Sequence, residues 1–519
     1  MSARAERSVD TDRSGRADTL APVTEEPGPE QLPEQLRVRR AKYDRLMADP
    51  ERAPFPVVVP RSHTLAEVRA AYPDLPAQAT TGAYVGVAGR VIFVRNTGRL
   101  CFATLREDGV ELQVMLSAVQ LGDASLAAWK ADVDLGDIVF VHGEVVTSKR
   151  GELSVLADDW RIAAKALRPL PVAHKALSEE ARVRYPYLDL IVRPEARAMV
   201  AARATVTRSI RETLHRLGYI ELETPVLNLV HGGAAARPFR THLNAFDLDM
   251  SLRIATELYL KRAVVGGLSK VYEIGRVFRN EGVDSEHSPE YTLLEAYEAF
   301  GDYHTMAALV QTVILDAAHA LGVSEVTAPD GTRIDLSGEW RWISIYQLLA
   351  DRLGEPVTPG TTDEELRKFA AGHDIAVKEQ WGHGELVLEL YEKLVEHTVV
   401  QPTFVVDYPA AVRPLARPHR SDPRVAEAWD LVIAGIELAP AYSELVDPVE
   451  QRRRLHRQSL AAAAGDPEAM ELDEDFLRAM EHGMPPMGGI GLGIDRLIMV
   501  LTSKWGIRET ILFPLLKPT

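Results

Sequence analysis

The chain has 519 residues, 46% hydrophobic and 26% charged, an ordinary balance for a soluble globular protein of two or more domains. Lys and Arg number 59 against 75 Asp and Glu, a formal charge of −16, which argues against a broad basic surface and confines any nucleic-acid contact to small patches. One cysteine, Cys101, excludes an intramolecular disulfide and a cysteine-built zinc site; with no apolar signal-peptide core and no run of about 18 apolar residues, a cytoplasmic protein without membrane spans is expected.

Residues 1–33 hold Ser, Arg, Glu, Pro and Thr with few large apolar side chains, the composition of a disordered tail. A first folded domain is expected over 34–171. It opens with a basic helix, Glu34 to Met47, in which Arg37, Arg39, Arg40, Lys42 and Arg45 either meet phosphates or simply face water. Five strand patterns follow: Tyr84–Val94, Leu100–Leu105, Leu112–Leu116, Ile138–Val146 and Leu153–Ala157. A helical stretch, Ala118 to Ala131, falls between the third and fourth. Five strands with a helix after the third is the order of an OB-fold barrel, a common binder of single-stranded nucleic acid. Arg95, Phe102 and Gln113 lie in its first three strands. An aromatic ring flanked by a base and an amide suits unpaired bases, although Phe102 could equally be core. Ala166 to Pro171 reads as a linker.

A second domain, 178–519, mixes α and β, so the fold class is α+β. Arg193 to Leu217 is helical and stops at Gly218, and Gly218 to Leu227 continues as a strand ending near Pro225. Gly232 and Gly233 let backbone approach a ligand. Glu257 opens a helix, where its charge also complements the helix N-terminus. Val271–Glu281 and Glu290–Tyr297 alternate as two strands around a loop, Gly282 to Pro289. Arg279 and Glu281 would share one face of the first strand; Tyr291, Leu293, Glu295 and Tyr297 would share one face of the second. If those faces coincide, an arginine suited to phosphate, rings suited to a base and acids suited to a cation meet in one pocket. An ordinary hairpin with a solvated polar face fits the same pattern. Residues from about Ala308 to Ala410 carry helical patterns, including Leu386 to His397, and no catalytic motif. Asp430 to Asp447 is strand-like, with Asp430, Glu437 and Glu444. Gly488 to Thr502 is a Gly-rich strand running into a helix near Asp495, with Arg496 at its start.

The wording of these stretches resembles the class II aminoacyl-tRNA synthetases, in the form found in the lysyl-tRNA synthetases. FRNEG, HSPEYT and LEAY resemble motif 2; GGIGLGIDRLIMVLT resembles motif 3; the helix and proline-ended strand at 193–227 resemble motif 1, the dimer element; GGAAARPF resembles a lysyl-enzyme signature. The resemblance covers about Pro33 to Pro518. It implies a homodimer that activates L-lysine with ATP and passes lysine to the 3′ end of tRNA(Lys). It assigns Arg279, Glu281, His287, Tyr291 and Arg496 to ATP, with Arg279 and Arg496 catalytic. It assigns Gly233, Glu257, Glu295, Tyr297 and Glu444 to lysine, Asp430 and Glu437 to Mg2+, and Arg95, Phe102 and Gln113 to the anticodon. Three other readings share the motifs. An aspartyl or asparaginyl enzyme would need a cationic group where this chain has acids. A paralogue ligating lysine or an analogue to a protein or small molecule is opposed by the intact OB domain. A non-catalytic RNA binder is opposed by Arg279, Glu281 and Arg496. The chain departs from the family at Thr256, where proline is usual, at Tyr185-Pro186, where Gln-Arg is usual, and at Pro440-Ala441, expected in a loop where a polar residue and Gly are usual.

Overall fold

The computed structural model describes residues 33–171, 177–284, 287–463 and 470–517. The chain divides into two compact units, residues 1–176 and 177–519. The tail expected over 1–33 lies, apart from Pro33, outside the described residues, as do two residues of the loop expected over 282–289.

In the first unit, strands β1 (Thr80–Asn96), β2 (Leu100–Glu107), β3 (Val110–Ser117), β4 (Ile138–Thr147) and β5 (Leu153–Ala164) close into a barrel ordered β1-β2-β3-β5-β4. Period-two alternation drives the closure. Cys101, Ala103 and Leu105 on β2, with Leu112, Val114 and Leu116 on β3, fill the interior and are fully buried. A β-bulge between Val91 and Phe93 inserts one residue into β1. The extra residue reverses the alternation, so Phe93 and Arg95 are exposed instead of following Val91 inward. The helix expected over 118–131 is two helices, Ala118–Leu121 and Asp123–Asp132, because Gly122 between them takes φ 80°.

Helix α1 (Glu34–Met47) forms where the basic run predicts it, but much of its charge serves the barrel. Arg39 is buried and donates to the carbonyls of Leu135 and Ala166, each at 2.8 Å. Lys42 pairs with Asp134 at 2.7 Å, and Arg45 and Arg52 both pair with the buried Asp132. Arg37 and Arg40 remain exposed. At the centre of this corner the fully buried Lys165 ammonium donates to the Asp132 carbonyl at 2.8 Å, to Asp134 at 2.5 Å and to Asp137 at 2.8 Å.

The second unit is built on eight strands: β6 (Ile220–Glu221), β7 (Lys270–Phe278), β8 (Glu290–Ala299), β9 (Arg341–Ser344), β10 (Thr403–Val406), β11 (Ala428–Ile433), β12 (Ile436–Ser443) and β13 (Met487–Gly493). Their order is β9-β10-β11-β12-β13-β8-β7-β6, antiparallel except for the outermost pair at each edge. One face packs on helices α2 (Pro194–Arg216), α4 (Tyr303–Leu321) and α6 (Ile494–Leu501), numbered in chain order with α3 (Glu257–Val265) and α5 (His383–Leu394). Leu294, Ala296, Ile490 and Leu492 of the sheet meet Ile210, Leu214, Val310, Ile314 and Leu497 there. The helices at 345–394 form their own core around Leu349, Leu366 and Leu390 and close on Val405 and Val432 of the sheet. They are the supporting region expected from the sequence.

Three local expectations are corrected. The strand expected over Gly218–Leu227 is two fragments: Ile220–Glu221 pairs with β7, and Leu227–Asn228 pairs with a separate strand at Leu248–Leu252. Pro225 has no N–H to continue the ladder, and Thr224 turns its amide and hydroxyl to Glu273 at 3.0 and 2.6 Å. Second, β7 ends at Phe278, so Arg279 and Glu281 lie beyond the strand and not on its face. Their amide neighbourhood shows why: Arg279 N–H still reaches the Pro289 carbonyl at 2.9 Å, but Asn280 N–H turns to Arg237 at 2.7 Å. Third, Pro440 and Ala441 sit within β12, not in a loop; Ala441 is fully buried against the helices. The departure at Tyr185-Pro186 is absorbed as a helix start, with Pro186 in the first turn, where a missing N–H is harmless.

Replacing Lys165 by Met leaves the buried Asp137 carboxylate without its cation and leaves the half-buried Asp134 with Lys42 alone. The expected cost is about 3–5 kcal/mol, measurable as lost amide-exchange protection in β4 and β5 of Lys165→Met.

Candidate active site

The sheet face away from α2 and α4 holds a cavity of about 440 Å³. Its floor is β13. Gly489, Gly491 and Gly493 pair with Tyr297, Glu295 and Leu293 of β8, so the glycines and these side chains share the cavity face. A Cβ on Gly489 would lie 2.0 Å from Glu444 Oε1 and 2.4 Å from Tyr297 Cε1. Glycine is therefore the residue that lets both side chains enter. Gly491 has nothing closer than 3.9 Å, so a side chain there would occupy open cavity.

At one end three buried carboxyl groups converge: Glu257 at the start of α3, Glu295 of β8 and Glu444 just past β12. Lys261, one turn on from Glu257 and 1% exposed, pairs with Glu257 and lies 2.5 Å from Glu444 Oε2. Burial pulls this ammonium toward neutrality, but the two carboxylates outweigh it and the group stays charged. Glu295 accepts from the Thr256 amide at 3.0 Å and from the Tyr297 hydroxyl at 3.2 Å. Burial, reinforced by Glu257, pushes Glu295 up to about 7 despite those donors. Glu444 is also pushed up, by burial, with Lys261 opposing. The departure at Thr256 has a consequence here: proline would carry no amide for Glu295. Gly233, with φ 88°, completes this end; a Cβ there would meet the Glu257 Cβ at 3.0 Å.

At the other end two guanidinium groups line the cavity. Arg279 lies 5.5 Å from the Tyr291 ring centroid and donates to the Ile254 carbonyl at 3.4 Å. Arg496 donates to the Glu437 carbonyl at 2.7 Å and lies 3.3 Å from the His287 ring nitrogen. Neither forms a salt bridge with a carboxylate among the described residues, so both keep donors for an anion. Asp495 beside Arg496 faces inward, accepting from the Thr292 amide at 2.7 Å and pairing with Arg203, which ties α6 to β8 and α2. Glu281 accepts from the Arg237 amide at 3.3 Å and lines the same end.

A bulge in the β11–β12 pairing sets the acids of the third wall. Leu431 pairs with Ala439 and Val432 with Glu437, leaving Leu438 extra. Leu438 and Ala439 both turn to the helices, so Glu437 and Pro440 reach the cavity although they are three residues apart. Asp430, opposite Pro440, does not line the cavity. It is buried and paired with Arg413, which does, and its Oδ1 has no well-formed hydrogen bond among the described residues, with the Tyr408 hydroxyl nearby. Burial, opposed by Arg413, pushes Asp430 up to about 6. Glu396, after α5, is pushed up to about 8 by burial and then by Glu437 and Asp430.

The cavity thus gathers Gly233, Glu257, Arg279, Glu281, His287, Tyr291, Glu295, Tyr297, Glu437, Glu444 and Arg496, the residues expected from the sequence, with Asp430 behind its wall. The charged groups missed are Arg413 and Asp495 on the lining and Lys261 behind Glu257 and Glu444. Lys261 was legible as the fourth residue after Glu257 on a helix face. Arg413, 4.3 Å from the Tyr408 ring, lies in a region without motif and had no such signal.

The expected RNA-facing residues belong to the other unit. Arg95 pairs with Phe102 across β1 and β2, with its guanidinium 4.9 Å from the ring, and Thr104 beside them pairs with Gln113. Phe102 alternates with the core residues Cys101 and Ala103, so it faces outward.

Comparison with known proteins matches residues 178–517 to the class II tRNA synthetases (D, K and N) and residues 85–163 to the OB-fold nucleic acid binding domain. The lysine--tRNA ligase of Mycobacterium bovis (strain BCG / Pasteur 1173P2) is 58% identical over 497 residues, covering 94% of this chain and 98% of the relative. That of Mycolicibacterium gilvum (strain PYR-GCK) is 56% identical over 499 residues, covering 95% and 99%. The lysylphosphatidylglycerol biosynthesis bifunctional protein LysX of Mycobacterium avium (strain 104) is 51% identical over 493 residues, 94% of this chain but 41% of that protein. With a matched catalytic sheet, a matched barrel and full-length relatives, the chain belongs to the class II tRNA synthetases, in their lysine--tRNA ligase family.

Proposed function

We propose that this cavity joins L-lysine to ATP, giving lysyl-adenylate and pyrophosphate, and that the lysyl group then passes to the 3′ end of tRNA(Lys). The observation that carries the reading is the polarity of the cavity: buried carboxyl groups at one end, and at the other the Arg279 and Arg496 guanidinium groups, without carboxylate partners among the described residues. A substrate with ammonium groups and a reacting carboxylate, meeting a polyphosphate, fits that arrangement. The lysine carboxylate attacks the α-phosphorus and pyrophosphate leaves, so the chain has to orient two anions and neutralise them. Arg279 is placed for the α-phosphate and the attacking carboxylate, Arg496 for the leaving pyrophosphate, and Tyr291 for the base. Glu281 and His287 complete the ATP end. Gly233, Glu257, Glu295, Tyr297 and Glu444 form the lysine end.

Glu437, on the cavity wall, is our candidate ligand for Mg2+ shared with ATP; Asp430 has a buried oxygen without a hydrogen-bond partner among the described residues but stands behind that wall, paired with Arg413, and would have to exchange that pair to reach the ion. Such an ion would take its remaining oxygens from phosphate and water. When bound, the ion neutralises phosphate charge. The outward Arg95, Phe102 and Gln113 are our candidates for the unpaired anticodon bases. A cytoplasmic homodimer is the assembly and location that the family reading supports, α2 and β6 resembling the dimer element; separately, no described helix is long and apolar enough to cross a membrane.

Purified protein is expected to exchange pyrophosphate into ATP with lysine far better than with other standard amino acids; folded protein indifferent to lysine removes the assignment. Arg279→Ala is expected to slow adenylate formation by about two orders of magnitude or more, with folding retained by circular dichroism. Phe102→Ala should weaken tRNA charging by about 1–3 kcal/mol and leave pyrophosphate exchange nearly unchanged, whereas a parallel fall in both would mean a damaged barrel. The pH dependence has a definite sign. Glu295 titrates near 7 in the free cavity and receives an ammonium group only when ionised, so lysine KM should fall as pH rises from 6 to 8. Well below that pKa the ionised fraction changes about tenfold per pH unit. A lysine KM flat across this range would show that Glu295 does not meet the substrate.

A further inference from the structure

Lys261 is, among the described residues, the one ammonium group that the cavity residues enclose, and the reaction does not use it. It is 1% exposed, so it is not a surface lysine that happens to point inward. It is ion-paired with Glu257 on its own helix, lies 2.5 Å from Glu444 Oε2 at the end of β12, and stands 5.7 Å from the centroid of the Tyr297 ring on β8. Tyr297 in turn donates to Glu295 at 3.2 Å. Three elements that supply the cavity's carboxyl groups therefore meet at one nitrogen.

We propose that Lys261 is a positioning residue that presets the charge of the amino-acid end: it neutralises one of three carboxyl groups and pins one oxygen each of Glu257 and Glu444, leaving a site matched to a substrate with two ammonium groups. The proposal rests on the lysine reading above and adds to it the count of charges. Three buried carboxyl groups with no cation would resist ionising together, because like charges in a low-dielectric site push one another toward the protonated form. Protonated carboxyl groups do not attract an ammonium group. One internal cation relieves this repulsion while still leaving the end anionic. Pinning acts in the same direction: Glu257 and Glu444 each keep a second oxygen outside the ion pair, held at a set distance by the shared nitrogen. The charged and titratable groups around the knot are Glu257 and Lys261 of α3, Glu295 and Tyr297 of β8, Tyr442 of β12 and Glu444 after it. Arg413 stands 5.9 Å beyond, from the Tyr442 ring centroid. No second ammonium group is among these described residues.

The test is lysine-dependent pyrophosphate exchange from pH 6 to 9, reading lysine KM, ATP KM and kcat separately for the wild type, Lys261→Met and the double variant Lys261→Met/Glu444→Gln. Lys261→Met is expected to raise lysine KM at pH 7 by tenfold or more. It should also move the pH at which that KM falls upward by at least one unit, with ATP KM within twofold. The double variant removes one carboxyl group with the cation and should bring the pH midpoint back to within half a unit of the wild type. Removing both partners of a buried pair is tolerated better than removing one, so the double variant carries the test if Lys261→Met fails to fold. An unmoved midpoint in Lys261→Met overturns the proposal. So does a double variant whose midpoint stays displaced, or one in which lysine and ATP KM rise together. A wild type without lysine-dependent exchange would instead remove the underlying reading, so the two failures are distinguishable.

Discussion

Everything at the amino-acid end depends on a strand whose cavity face carries no side chains. β13 lies between β12 and β8, and its cavity-facing positions are Gly489, Gly491 and Gly493. The space that side chains would take at Gly489 is filled by Glu444 and Tyr297, and the space above Gly491 is cavity. The other residues of the same strand, Ile490 and Leu492, are large and buried in the helix layer. One strand thus anchors the sheet on one face and makes room on the other, a division that the two-residue period of a strand imposes.

That room is used to bury charge, which is costly unless every group has a partner. The structure meets the cost through shared partners. Lys261 serves Glu257 and Glu444, the Thr256 amide and Tyr297 hydroxyl serve Glu295, and Arg413 serves Asp430. The barrel uses the same solution at Lys165, where one ammonium serves Asp134 and Asp137. Removing the shared cation would strand Glu257 and Glu444 in one unit and the buried Asp137 in the other, so these knots are more sensitive than any of the exposed ion pairs.

Two bulges aim side chains that an unbroken strand would send the other way. In β1 the bulge turns Phe93 and Arg95 to the outer face beside Phe102. In β12 the bulge at Leu438 brings Glu437 to the cavity together with Pro440. Both lie where the chain must present polar or aromatic groups from a strand whose other residues are core.

Much of this was legible in the residues. Alternation marked the five barrel strands and the β7–β8 pair, and burial of every second residue is what makes such patterns readable. Tyr291, Glu295 and Tyr297 on one face followed from period two alone, whereas the Gly-rich strand at 488–493 took its meaning from the resemblance to motif 3. The rest needed the tertiary structure. Pattern cannot locate the end of β7 at Phe278, because the end depends on which carbonyl Asn280 finds across space. Nor can it place Ala441 in the helix layer, because one inserted residue at Leu438 sets the parity of all that follow. The basic face of α1 reads as free charge until Asp132 and Asp134, about ninety residues away, are folded against it. Lys261 and Arg413 are ordinary cations in the sequence; only the packing of α3, β8 and β12 makes one a buried partner of two acids, because an ion pair is decided by distance in space and not by spacing along the chain.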